Sequence, residues 1–247
     1  MERQKHFLII LLLIISLFSV KASPRSDIYK AFISNDLNLW KNVLDDMHQQ
    51  KNKSNDFKLE LLNYAYGYIG WCIAKKNYTL AKQYLEMGDV NLLALEKLAY
   101  KPSWTNSYKS AFYGFRIGLS MIKAPILGPK SVACANLAMK QDVKNPYGFI
   151  QYANIQYYMP PVFGGSKSEA LNYYLMAQKI MEGDPVQIKE NWNYLNLLTM
   201  IAQTYTQLND FQSAKAYFVK ILNIEPNFLW VKNKLYPNCL KKINQNT

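Results

Sequence analysis

Histidine is almost missing from this chain. Two occur in 247 residues, His6 and His48. Only His48 lies beyond the first 22 residues, in the polar run Asp45-Asp46-Met47-His48-Gln49-Gln50. That excludes a multi-histidine metal site and leaves at most one Ser-His or Cys-His pairing. His48 itself reads as a solvated residue near a helix end. Cysteine is scarce and odd in number: Cys72, Cys134 and Cys239. No C-x2-C spacing exists to hold a metal, and an odd count leaves at least one thiol unpaired. Each lies in an apolar, helix-like setting and reads as a small buried hydrophobe. Arginine is nearly absent too. Beyond residue 22 only Arg25 and Arg116 remain, so the formal charge of +12 is carried by lysine. Lysine lacks the planar fork that reads phosphates and bases, which argues against a nucleic-acid partner; the surplus suits acidic partners or anionic lipid surfaces. No alternating apolar and polar run marks a strand.

Long apolar runs are also lacking, with one exception. Phe7–Val20 is apolar for 14 residues, behind the charged start MERQKH and ahead of the small-residue exit Val20-Lys21-Ala22. This is the layout of a secretory signal peptide at 1–22, too short for a membrane span of about 20 residues. The expected protein is exported to the periplasm or cell envelope and is not transmembrane after cleavage; an uncleaved N-terminal anchor is the alternative. Cleavage would remove Glu2, Arg3, Lys5 and Lys21 and bring the charge from +12 to +10.

What the chain does have is helical periodicity almost everywhere, cut by short turns at Ser34-Asn35-Asp36, Lys75-Lys76-Asn77, Gly128-Pro129, Pro160 to Gly165, Glu182 to Pro185 and Leu208-Asn209-Asp210. The segments between run about 12 to 20 residues, a string of helical hairpins. The last third is the most regular. Leu198, Ile201, Ala202 and Tyr205 form one stripe. Phe211, Ala214, Phe218, Ile221 and Leu222 form the next, and Pro226 ends it. Alanines at 202 and 214 allow a close helix crossing, and the rings wedge neighbouring pairs apart.

The order L-x2-I-A-x2-Y, A-x3-F, P resembles the tetratricopeptide repeat (TPR). Weaker copies run through Tyr66-Gly67-x2-Gly70 to Ala81, through Gly114-x3-Gly118 to Leu137-Ala138, and through Ala153 to Ala170. Together with APILGPKS and MPPVFGGSKSEAL, these segments resemble a group of exported bacterial TPR proteins without assigned chemistry. The resemblance implies an all-α, right-handed solenoid of about five or six helical hairpins. Residues 23–55 would be N-terminal capping helices, 56–228 degenerate repeats with 195–228 the best, and 229–247 a C-terminal cap broken at Pro237.

The two glycine stretches raise the question of a phosphate loop. Lys167 follows Ser166 and Lys130 follows Pro129, so the glycine that a P-loop needs beside its lysine is missing in both. Both read as turns inside hairpins, with Ser166 and Glu169 as a capping box. The residual use is an anion site at Lys130 and Lys167. Acidic neighbours offer no converging pair: Asp45-Asp46 point apart on a helix, and Glu182 and Asp184 flank Gly183 in an expected solvated loop. Arg116 is expected in a structural ion pair. No residue is assigned a catalytic, cofactor or metal role. The expected function is non-enzymatic: a scaffold that binds a protein or peptide on its concave face, through Tyr64, Trp71, Asn154, Tyr157, Asn196, Thr199 and Gln203. The alternative is an envelope protein that binds a small polar or anionic ligand.

Overall fold

The structure, a computed structural model, describes residues 23–245, so the expected leader at 1–22 lies outside the described residues. Among these, twelve α-helices follow one another and no strand occurs. Five hairpins pair α1 (Pro24–Ser34) with α2 (Leu37–Gln49), α3 (Asn55–Ala74) with α4 (Tyr78–Lys97), α5 (Pro102–Leu119) with α6 (Ala124–Gln141), α7 (Pro146–Tyr158) with α8 (Lys167–Glu182), and α10 (Trp192–Gln207) with α11 (Phe211–Ile224). The short α9 (Pro185–Ile188) bridges the last two pairs, and α12 (Tyr236–Gln245) closes the stack. The chain is an all-α solenoid.

The helix starts are written in the sequence. Ser23, Asp36, Ser54, Asn77, Ser166 and Asp210 each accept a backbone N–H three residues on, and Asn145 and Asn191 one two residues on. Each cap satisfies an amide that the first turn leaves without a partner. The crossings are kept close by small residues. Ala202 and Ala214 are fully buried between α10 and α11. Between α5 and α6 serine does the same work: Ser103 donates to the Ala138 carbonyl at 2.8 Å, and Ser110 and Ser131 each donate to the other's carbonyl at 2.8 Å.

The two glycine stretches are not two copies of one loop. PPVFGG is a turn as expected: Pro161–Phe163 form a single 3-10 turn, Gly164 has φ +93°, and a Cβ on Gly165 would lie 1.9 Å from the Met159 carbonyl. The capping box is only half made. Ser166 caps Glu169, but the Ser166 N–H goes to the Gln156 carbonyl and the Glu169 carboxylate accepts from Tyr152. APILGPKS, by contrast, lies inside α6. The chain turns earlier, at Ser120 and the 3-10 turn Met121–Lys123. Pro125 suits the first helical turn, and Pro129 forgoes only the bond to the Pro125 carbonyl, where both residues face solvent. Two other prolines mark the last third: Pro226 ends a helix as expected, while Pro237 differs from expectation. Pro226 sits in the turn after α11, and the next helical residue is Leu229. Pro237 does not break the tail: the π turn Val231–Leu235 widens the helix just before it and absorbs the missing N–H.

The solenoid bites its own tail. The first hairpin, expected as an N-terminal cap, packs against the last. Arg25 on α1 donates to the carbonyls of Gln187 (3.1 Å) in α9 and Lys189 (2.5 Å) just after it. The Tyr29 hydroxyl donates to Glu225 at 3.1 Å. Phe32 lies 5.8 Å from Trp192 and 4.9 Å from Phe228, and Trp40 lies 5.0 Å from Trp192, between ring centroids. Gly67 on α3 makes room for this: an added Cβ would fall 2.5 Å from the Trp40 ring and 2.6 Å from the Trp192 ring.

Asn63, one turn before Gly67, ties four helices. Its Oδ1 accepts from Trp192 Nε1 (2.9 Å) and Asn193 Nδ2 (3.0 Å) on α10, while its Nδ2 donates to the Tyr108 hydroxyl on α5 (2.8 Å) and the Tyr147 hydroxyl on α7 (3.3 Å). Replacing Asn63 with Leu strands these groups and is expected to cost about 2–3 kcal/mol, read as a lower urea midpoint at unchanged slope. Gly67→Ala must displace two indoles and is expected to cost about 1–3 kcal/mol in the same measurement. A midpoint unchanged in both variants would show that the ends of the solenoid are not clasped.

Candidate functional site

The first helices of the hairpins, α3, α5, α7 and α10, meet on the inside of the solenoid. Tyr66 on α3 is the centre of that face. Its ring stacks on Phe115 of α5 at 5.6 Å and lies 6.1 Å from Trp192 and 6.2 Å from Tyr108. Its hydroxyl accepts from Asn154 Nδ2 at 3.1 Å. Asn154 Oδ1 in turn accepts from the Tyr174 hydroxyl at 2.6 Å. Burial raises the Tyr66 pKa, and burial together with the neighbouring phenols of Tyr158, Tyr66 and Tyr157 raises that of Tyr174 well above the ordinary value. The face is therefore uncharged at neutral pH: rings, phenols and amides. On α7 the Gln151 side chain also borders the Tyr66 hydroxyl, and Gln156 Oε1 is buried without a hydrogen-bond partner.

The seven residues expected to line a concave face are not brought together. Asn154 is on it, with both amide atoms occupied as described. Tyr157 is half-buried near it and Trp71 borders it, packed on Trp40 at 5.9 Å. Tyr64 belongs to the core instead: it is 4% exposed, and its hydroxyl donates to Glu60 at 2.6 Å. Thr199 is fully buried and donates to the Leu195 carbonyl at 2.7 Å, closing on its own helix. Asn196 and Gln203 are half-buried on α10, where Gln203 Nε2 lies 3.9 Å from the Met200 sulfur. On α10 the clasp accounts for the difference. With α1 and α2 packed against α10, the surface that an open array would expose on that helix is core.

The expected anion site is not supported either. Lys130 is exposed on α6. The Lys167 amine donates to the Tyr157 carbonyl and lies 4.1 Å above the Tyr157 ring, and burial lowers its pKa. It caps the C-terminal end of α7. Glu182, expected in a solvated loop, ends α8 and accepts from Lys220 (2.7 Å), Tyr194 (2.7 Å) and Gln178 (2.8 Å). Arg116 pairs with Asp89 between α5 and α4, the structural role expected of it. Cys72 and Cys239 are buried and Cys134 is half-buried; burial pushes the Cys72 thiol up to about 11, which makes it inert. No group of three potential metal ligands occurs among the described residues.

The residues that sequence reasoning missed are Asn63, Tyr66, Phe115 and Trp192. One signal was available: Tyr66, Gly67 and Gly70 form a ring followed by two smooth positions, and Phe115 fills the second, 3.6 Å from where a Gly70 Cβ would be.

Three comparisons bear on this geometry. Residues 195–228 match the family model described as tetratricopeptide repeat. No curated protein matches the sequence. Among solved structures, the HusA haemophore from Porphyromonas gingivalis is similar with a TM-score of 0.59 at 15% identity, over 74% of this chain and 92% of that one. At that identity the likeness is one of fold.

His48 corrects another expectation. It is half-buried rather than solvated, its Nε2 is buried without a partner, and its ring faces Tyr84 at 6.4 Å. Burial first, and then Lys53, depress its pKa against the opposing pull of Asp45. The unfolded chain takes up the proton near pH 6.5 while the folded chain resists it. Below that pH the unfolded state binds more protons, so stability is expected to fall as pH falls. His48→Gln should flatten this part of the urea-midpoint profile between pH 7 and 5; an unchanged profile would place the acid sensitivity elsewhere.

Proposed function

Starting from a chain that carries a tetratricopeptide repeat at residues 195–228, we propose a non-enzymatic binding protein whose inner face receives a protein or peptide partner. Helical solenoids of this kind use their concave surfaces for binding. The observation that carries the proposal is the uncharged strip of Tyr66, Phe115 and Asn154, next to the 71% exposed Tyr158. Rings with hydrogen-bonding edges suit an extended backbone that brings its own amides. The proposed setting is outside the cytoplasm, on the strength of the leader-like start.

A second reading has one specific observation in its favour. The stacked pair Tyr66 and Phe115 suits a flat apolar ring system, and the similar solved structure is described as a haemophore. Two measurements separate the readings. Affinity capture from cross-linked cells with tagged residues 23–247 is expected to retain a defined partner, lost on Phe115→Ala with Tyr158→Ala. Titration of the same protein with haemin is expected to give no saturable change in absorbance. A saturable change that Phe115→Ala abolishes would favour the second reading; a partner retained unchanged by both substitutions would move the binding surface off the inner face.

A further inference from the structure

The turns joining the two helices of the middle hairpins carry a feature that the inner face does not use. Helices α3, α5 and α7 run in the same direction. The starts of α5 and α7 are tied by the Asn145–Ser103 bond at 2.8 Å and the Trp104–Tyr147 contact at 4.8 Å, and the ends of α3 and α5 meet where Gly118 faces Ile73. Their C-terminal turns therefore share one edge of the solenoid. At the second and third of these turns stand Ile122 (86% exposed), Val162 (85%) and Phe163 (75%), with Ile126 (67%) in the first turn of α6 that follows. A lone exposed apolar residue needs no explanation, but four large ones at two adjacent turns form a patch that calls for a cover.

Lysine dominates the charge around the patch; the nearest acid in sequence, Glu169 in the first turn of α8, accepts from the Tyr152 hydroxyl. No aspartate or glutamate occurs from residue 97 to 141, nor from 143 to 168, nor from 61 to 85. The same edge carries Lys75 and Lys76 after α3, and Lys123 and Lys130 beside the apolar tips; the latter two are exposed. A lysine-rich rim around protruding apolar tips is complementary to an anionic surface that yields to them. A second copy of the chain would meet the same cations with its own. No helix among the described residues is long and apolar enough to cross a membrane, so attachment would be peripheral.

We propose that this edge docks the protein on anionic lipid bilayers, with Ile122, Ile126, Val162 and Phe163 entering the headgroup region and Lys123 and Lys130 contacting acidic headgroups. Apolar insertion and electrostatic attraction add in such binding. The surface is separate from the inner face, so it holds whichever partner that face takes.

The test is co-sedimentation of residues 23–247 with vesicles of phosphatidylglycerol and phosphatidylcholine, against vesicles of phosphatidylcholine alone. Binding is expected only to the anionic vesicles, weakening as salt rises. Lys123→Glu and Lys130→Glu should each weaken it about fivefold or more, and Ile122→Glu with Phe163→Glu by at least about tenfold. These side chains are exposed, so the helical circular dichroism and the urea midpoint should not change. No binding to anionic vesicles would overturn the proposal. So would binding indifferent to the apolar pair, which would be a diffuse attraction of basic protein to acidic lipid. A dimer seen by sedimentation equilibrium and dissolved by Phe163→Glu would instead make a second copy the occupant.

Discussion

One side-chain amide holds the middle of this protein together. Asn63 joins α3, α5, α7 and α10 through four hydrogen bonds, and no shorter or purely apolar side chain could reach those partners and match them. Around it the indoles of Trp40 and Trp192 close over Gly67, which has no side chain to stop them. The clasp decides what is surface and what is core. It turns the inner side of α10 into core at Thr199 and leaves a polar-aromatic strip around Tyr66 as the open part of the inside.

That arrangement relates the chain to ordinary helical arrays without making it one of them. Each hairpin is built by local rules: a polar cap, an apolar stripe, small residues at the crossing. The repeat at 195–228 keeps those rules closely enough to match a family model, and the other hairpins keep only the physics. The α5–α6 crossing shows how far this can drift, with serines bonded to facing backbone where alanines would merely fit.

Much of this was legible in the sequence. Periodicity points to the all-α class, the resemblance implies the hairpin count, and the Ala202, Ala214 and Phe218 pattern marks the last repeat with its small crossing residues correctly buried. The capping residue Ser166 was legible because a cap is a contact between neighbours in sequence. What failed was non-local or ambiguous between two local solutions. Prolines break helices, so APILGPKS reads as a turn in the sequence, yet Pro125 and Pro129 both fall where the lost amide costs little. Tyr64 and Tyr66 are two residues apart and face opposite ways; choosing between them needed the identity of the neighbour across the inside, which is Trp192, 126 residues beyond Tyr66. Pairings across such separations leave no periodic trace.

The contact between the first and last hairpins has a consequence for how such a protein can change. An open array lengthens by duplicating a unit, since each unit touches only those beside it. Here Arg25, Tyr29 and Phe32 reach across to the far end of the stack. An inserted hairpin would carry that end out of reach and break the circuit, so the number of units is locked, and evolution is left to work on loops and faces instead of length.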